Sequence, residues 1–126
     1  MIDVDHFKKY NDAFGHATGD FVLQEAARLI RGVMRETDIP ARYGGDEFSV
    51  ILTGTGKKEA AAIAERLREE AEKSKFYKAG KGINVTFSIG VAACPDDTEE
   101  APVLIELADA ALYLSKSRGR NRVTVF

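Results

Sequence analysis

Residues 44–48 read Gly-Gly-Asp-Glu-Phe between two apolar runs, Asp38-Ile-Pro-Ala-Arg-Tyr43 and Phe48-Ser-Val-Ile-Leu52, each of strand character. That arrangement is a tight antiparallel hairpin with two acids at its tip, and it commits the chain to a sheet. Adjacent glycines let the backbone reach positive φ and leave no side chain over the turn, so a bulky anion can lie against it. The acids make the turn chemical. A hard divalent cation such as Mg²⁺ takes one or two carboxylates plus phosphate oxygens, and Asp46 and Glu47 can supply the protein's share. The ordinary alternative is a solvated turn of common polar residues.

Periodicity supplies the elements around the hairpin. Residues 1–4 read as a stub of strand, followed by a short helix from Asp5 to Ala13, with Asp5 as N-cap and Gly15 as its stop. A longer helix runs from Gly19 to Arg35, because Val22, Leu23, Ala26, Leu29, Ile30, Val33 and Met34 recur at three- and four-residue steps. After the hairpin, Gly54-Thr-Gly56 ends the second strand, and Lys57 to Ser74 is helical with Ala61, Ala64, Leu67 and Ala71 inward. Strict alternation of Ile83, Val85, Phe87, Ile89, Val91 and Ala93 predicts one half-buried strand over 83–93. Pro102 suits the first turn of a last helix to Ser117, and Arg122–Phe126 closes as a short strand.

Bulk properties exclude several classes of function. With 18 basic and 20 acidic side chains the net charge is −2, so no global field gathers nucleic acid and any anion binding is local. One cysteine, Cys94, cannot close an intramolecular disulfide, and no apolar run approaches the ~20 residues of a bilayer span. A reducing, cytoplasmic setting is the default, and Cys94 reads as a small core or strand-end residue. A chain of 126 residues suits one domain that buries about two thirds of its unfolded surface.

Four further segments accompany the hairpin. They are Met1-Ile-Asp-Val-Asp-His-Phe-Lys-Lys-Tyr-Asn-Asp-Ala-Phe-Gly-His-Ala-Thr-Gly-Asp20, Arg35-Glu-Thr-Asp38, Thr86-Phe-Ser-Ile-Gly-Val91, and Ala108-Asp-Ala-Ala-Leu-Tyr113 with Lys116-Ser-Arg-Gly-Arg-Asn121 behind it. In this order and spacing the chain closely resembles a GGDEF domain from residue 1 to the end, which makes 1–126 a single such domain. The resemblance implies a diguanylate cyclase, condensing two GTP molecules into cyclic di-GMP and two pyrophosphates. It also implies an α/β (α+β) palm-like nucleotidyl-cyclase fold, in which a central mixed sheet of about five strands carries the antiparallel hairpin and is flanked by helices.

Residue roles follow from the same resemblance. Asp3, the backbone carbonyl of Val4, and Asp46 bind Mg²⁺ (or Mn²⁺), and Glu47 is either a further ligand or the group that helps deprotonate the attacking hydroxyl. Phe7, Lys8, Lys116 and Arg120 lie at the triphosphate, with Gly44 and Gly45 giving room beside it; helix N-termini favour phosphate. Asn11 and Asp20 contact guanine, whose N1–H and N2 amine form a donor pair that a buried carboxylate accepts, so GTP is expected over ATP. Arg35 and Asp38 form an inhibitory site for the product, with Arg66 joining it. Roughly 3.3 Å per strand residue puts Asp38 about 20 Å from the turn, so product held there acts through domain arrangement and not by overlap. The ordinary alternatives are a solvated basic helix end at Lys116–Arg122, an N-cap at Asp20, a solvated helix residue at Asn11 and a surface pair at Arg35 and Asp38.

Two GTP molecules have to meet, and the family solves this with a transient homodimer. Its members carry an apolar run and a further helix before the strand bearing Asp3, so this chain reads as N-terminally truncated relative to them. The expectation is lowered stability, a risk of strand exchange, and weak or absent turnover in isolation. The other readings are a cyclic di-GMP-binding module that has lost catalysis and an inert interaction domain. No membrane segment or nucleic-acid partner is expected.

Overall fold

The computed structural model describes residues 1–126. Its main sheet runs, edge to edge, through β2 (Ile39–Gly44), β3 (Glu47–Ile51), β1 (Ile2–Val4), β6 (Phe87–Val91) and β7 (Val123–Val125). Only β6 and β7 pair in parallel, so the sheet is mixed, as expected. The short β1 lies at its centre with all three residues buried. Pairing continues to Met1, whose ammonium donates to the Gly90 carbonyl at 2.8 Å and whose carbonyl accepts from the Gly90 N–H at 2.9 Å.

Helices cover both faces. The apolar stripes of α2 (His16–Val33) and α3 (Lys57–Lys73) meet Ile2, Val4, Phe48, Phe87 and Ile89 in one core cluster. On α3 the buried set includes Ala60 and Ile63, while Ala61, expected inward, is only half-buried. Alternation along β6 turns Ser88 and Gly90 to the other side, where α4 (Ala101–Ser117) packs, with Pro102 in its first turn as expected. A side chain at Gly90 would put its Cβ within 3.0 Å of the Ala108 carbonyl and of Leu112 N and Cα, so α4 sits against bare backbone. Both faces of β6 are therefore covered and all five residues are buried, where alternation alone predicted a half-buried strand.

The alternation over 83–93 does not mark one strand. Ile83 and Asn84 belong to β5 (Lys81–Asn84), which pairs with β4 (Lys75–Lys78) in a separate ribbon, and the main sheet resumes at Phe87. The ribbon buries Phe76 and Ile83 and is tied to the short helix α1 (Phe7–Phe14) and to α2. Tyr10 Oη donates to the Asn84 carbonyl and Lys78 Nζ to the Ala17 carbonyl. Two helix starts also differ from the sequence reading. α2 begins at His16, directly after Gly15 at φ +79°, and not at Gly19. The N-cap of α1 is His6 at φ 58°, with no capping side chain; Asp5, expected there, is buried in the interior for reasons given below. Cys94, read as core or strand end, is exposed beyond β6. No helix is long and apolar enough to cross a membrane.

Candidate active site

The hairpin turn is two residues long, Gly45 and Asp46, between the paired Gly44 and Glu47. Only Gly45 adopts positive φ, +43°, and a Cβ on Gly44 or Gly45 would meet nothing within 4 Å, which leaves open space above the bend. Arg42 fixes the turn from below by donating from Nε (3.0 Å) and Nη2 (2.7 Å) to the Gly45 carbonyl. Sequence reasoning passed over Arg42, because an exposed arginine on an edge strand carries no local signal.

Antiparallel pairing brings the acids of the turn to the acid of β1. Asp3 lies opposite Glu47, and the Val4 N–H donates to the Asp46 carbonyl at 3.1 Å. Directly opposed residues share a face with Cβ atoms about 5 Å apart, so carboxylates of β1 and of the turn strand converge. Asp3 is 3 % exposed. Burial raises its pKa above 3.8; a hydrogen bond from Lys116 opposes that shift, and the charges of Asp46 and Asp5 add to it.

Lys116, on the last turn of α4, is the cation of this group, with Nζ 2.6 Å from Asp3 Oδ2. Burial works against its charge, but the hydrogen bond to Asp3 and the fields of Asp3, Glu47 and Asp46 outweigh it, leaving the ammonium above its ordinary value. Just beyond it the chain turns through Gly119 (φ 112°), Arg120 (φ 64°) and Asn121 (φ 45°). Left-handed φ at two consecutive non-glycine residues is strained, of order 1 kcal/mol or more each, and persists only where the surroundings impose it. Those surroundings include Asp5. Its carboxylate is 1 % exposed and accepts from Thr86 Oγ1 (2.7 Å), Ser88 Oγ (2.6 Å) and the Asn121 N–H (3.0 Å).

A second group of predicted residues gathers where α1 crosses α2. Asn11 packs over Gly19, where a Cβ would lie 2.8 Å from Asn11 Cγ and 3.1 Å from Phe7 Cζ. Asn11 Oδ1 is buried without a hydrogen-bond partner. Asp20 follows at once and lines a cavity of about 400 Å³ with Leu23, Gln24, Arg42 and Phe48. Asp20 is exposed in this cavity wall, not buried as the base-recognition argument assumed, because it lies on the solvent side of α2. Phe7 is half-buried at the start of α1, and Lys8 is exposed beside it.

Arg35 and Asp38 lie elsewhere, just beyond the C-terminal end of α2, and Arg66 reaches that end from α3. Asp38 is 7 % exposed; its Oδ2 accepts from the Arg35 backbone N–H at 2.9 Å, and its Oδ1 is buried without a partner. The Arg35 guanidinium does not pair with Asp38 but with Glu59 of α3, while Arg66 Nη2 donates to the Val33 carbonyl at 3.0 Å. The two guanidiniums thus face the end of α2 through different partners, and one Asp38 carboxylate oxygen is orphaned beside it.

The donor set around Asp3 fits a hard divalent cation. No three acidic, histidine or cysteine side chains close a cage on their own. The chemistry of the donors present, the Asp3 carboxylate with the turn acid Glu47 opposite it, is that of a hard cation such as Mg²⁺, which binds one or two carboxylates and completes its shell with water and substrate phosphate.

A family profile described as "Diguanylate cyclase, GGDEF domain" matches residues 1–122. Among curated proteins, the chain is 51 % identical over 125 residues to "Diguanylate cyclase A" of Treponema denticola, covering 99 % of this chain and 34 % of that protein. It is 44 % identical to "Response regulator PleD" of Caulobacter vibrioides, covering 98 % of this chain and 28 % of the relative. The chain therefore spans about a third or less of these relatives' own length. Among solved structures, the GGDEF domain of YfiN (TpbB) from Pseudomonas aeruginosa superposes with a TM-score of 0.94 at 36 % identity, over 98 % of this chain and 78 % of that one. The GGDEF domain of DgcB from Caulobacter crescentus, solved in complex with c-di-GMP, gives 0.89 at 38 % identity, over 98 % and 74 %. Profile, sequence and fold agree over residues 1–122 or more, and the chain belongs to the GGDEF domain family of diguanylate cyclases.

Proposed function

We propose that this domain condenses two GTP molecules into cyclic di-GMP with release of two pyrophosphates. The observation that carries the reading is the meeting of β1 and the turn: Asp3 opposite Glu47, Val4 bonded to Asp46, and Lys116 against Asp3. Asp3, the Val4 carbonyl and Asp46, with Glu47 beside them, are the groups that hold Mg²⁺ or Mn²⁺. Such an ion, when bound, offsets the charge that develops on the phosphates.

The chain's own residues do the rest. Lys116 on α4 and Arg120 in the turn beyond it approach the triphosphate from one side, and Lys8 with the start of α1 at Phe7 approaches from the other. Gly44 and Gly45 keep the bend clear of side chains. Asp20 accepts the N1–H and N2 amine of guanine, and Asn11, packed over Gly19 beside it, contacts the same base once its buried amide turns outward. In each half-reaction the 3′-oxygen of one GTP bonds to the α-phosphorus of the other, and pyrophosphate leaves with the bonding pair. The hydroxyl proton passes to a nearby base, for which Glu47 is the carboxylate at hand. One domain holds one GTP, so catalysis needs two domains face to face as a transient homodimer, and the rate depends on protomer concentration.

Product binding at Arg35, Asp38 and Arg66 belongs to the same reading. The orphaned Asp38 oxygen supports a ligand with donors there, such as a guanine edge, and the arginines suit its phosphates and Hoogsteen edge. The same orphan favours the second reading, a cyclic di-GMP-binding module without turnover.

Incubation of the 126-residue chain with GTP and Mg²⁺, with nucleotides quantified by chromatography, tests both. Cyclic di-GMP forming slowly, as befits a lone domain, at a rate second order in protein, and none of the adenine analogue from ATP, is the expected result. Calorimetric binding of cyclic di-GMP that is lost in Arg35→Ala, with no turnover at any protein concentration, would leave the binding module instead.

A further inference from the structure

We infer that Asp5 is a positioning residue for the triphosphate site, holding Arg120 where it meets substrate; this rests on the reading of Arg120 as a phosphate ligand. Asp5 touches neither the cation nor the turn acids. It lies between Asp3 and Phe7 in the chain, and its two oxygens collect donors from two other places: Thr86 and Ser88 at the β6 end of the sheet, and the main-chain N–H of Asn121 beyond α4. The substrate site is built from two halves far apart in sequence, the β1–α1 half with Asp3 and Lys8 and the α4 half with Lys116 and Arg120. Besides the Lys116–Asp3 ion pair, Asp5 is the buried side-chain bond between them.

The geometry at Asn121 gives the bond its consequence. Arg120 and Asn121 both stand at positive φ, a conformation a non-glycine pair does not hold unaided. Four contacts bear on it, one of them the long, exposed bond from Arg122 Nε to the Arg120 carbonyl at 3.2 Å; the other three are stronger. The Arg120 N–H donates to the Ser115 carbonyl at 3.0 Å, the Asn121 N–H donates to Asp5, and the Asn121 side chain is gripped by Arg68 (3.0 Å) and Glu72 (2.8 Å) of α3. Of these only the Asp5 bond is charge-assisted to the main chain and fully buried on the acceptor side, which makes it the strongest tether on the turn. An amide in its place presents N–H₂ to one of three donors already facing it. With that NH₂ turned to Ser88, whose hydroxyl rotates to accept, the amide oxygen still meets the Asn121 N–H, but the bond loses its charge assistance.

The test is a double-mutant cycle on binding of a non-hydrolysable GTP analogue with Mg²⁺, read by calorimetry. Asp5→Asn and Arg120→Ala are made singly and together, with Thr86→Val as the control that removes a different donor to the same carboxylate. Each of the first two is expected to weaken binding about tenfold, the scale of one hydrogen bond to a charged group. In the Arg120→Ala background Asp5→Asn should add less than about twofold, because its effect runs through Arg120. Thr86→Val should lower the melting temperature while leaving affinity within about twofold. Additive losses, or a loss of affinity in Thr86→Val that matches its loss of stability, would make Asp5 a purely structural residue and overturn the inference. Undiminished binding in Arg120→Ala alone would overturn the phosphate assignment and the inference with it. If Asp5→Asn does not fold, Asp5→Ser, whose shorter side chain does not reach the Asn121 N–H, takes its place in the cycle with the same expectations.

Discussion

Replacing Gly90 with alanine measures how closely α4 is set on the sheet. The added Cβ would lie 2.8 Å from Leu112 Cα and within 3.0 Å of the Ala108 carbonyl and Leu112 N. Carbon atoms settle at about 3.5–4.0 Å, so α4 has to recede by about 1 Å. The obstacle is backbone on both sides, and no rotamer change relieves it. Overpacking of this kind costs about 3 kcal/mol, at the upper end for inserted methyl groups, against which reduced freedom of the unfolded chain returns about 0.5 kcal/mol. A net loss of about 2–3 kcal/mol lowers the melting temperature by roughly 10 °C for a domain of this size. The shift also reaches the site, since Lys116 rides on α4 and a 1 Å retreat opens its 2.6 Å bond to Asp3. Gly32→Ala is the control. It lies in α2 with nothing within 4 Å of the new Cβ, and the better helix propensity of alanine should stabilise the fold by about 0.5–1 kcal/mol. Urea denaturation of the three proteins reads both signs. Gly90→Ala within about 0.5 kcal/mol of the parent would refute the packing argument.

Three further outcomes are expected. Asp20→Ala should reduce the preference for GTP over ATP by about ten- to a hundredfold in kcat/KM, a smaller effect than a buried carboxylate would give, because Asp20 stands on an open cavity wall; undiminished discrimination in a competition assay would remove it from base recognition. Arg35→Ala should weaken cyclic di-GMP binding by calorimetry at least tenfold and leave initial GTP turnover intact, since its partners Glu59 and Asp38 lie at the far end of β2 from the turn. Asp97 is held below 3.8 by the Lys57 ammonium at 2.5 Å and the Ala93 N–H at 2.8 Å. A depressed carboxylate contributes stability that is complete above its unfolded value and is lost as pH falls through the folded one. The stability gap between the parent and Asp97→Asn should therefore be full near neutral pH and shrink steadily below about pH 3.8; a gap independent of pH would show that the ion pair contributes nothing.

What the sequence disclosed and what it hid divide along the range of the interactions involved. The stripes on α2 and α3 were legible because burial repeats every three to four residues within one helix, and the hairpin because Gly45 and its flanking strands are contiguous. The β4–β5 ribbon was hidden, since Ile83, Val85 and Phe87 keep strand period while the chain passes from one sheet to another between them. Asp5 looked like an N-cap because that is the commoner local use of an aspartate before a helix. Its real partners lie 81, 83 and 116 residues away, beyond anything periodicity can report. Likewise, the convergence of Asp3 with Asp46 and Glu47 was expected from resemblance, and its physical cause is the β1–β3 register, which only the fold supplies.

Diffraction from crystals of this chain with a non-hydrolysable GTP analogue and Mn²⁺, collected at a wavelength where manganese scatters anomalously, addresses the central arrangement most directly. The expected map places a manganese peak about 2.1 Å from carboxylate oxygens of both Asp3 and Asp46, over the phosphates of the analogue. A peak coordinated by the turn acids alone, with Asp3 still bonded only to Lys116, would contradict it.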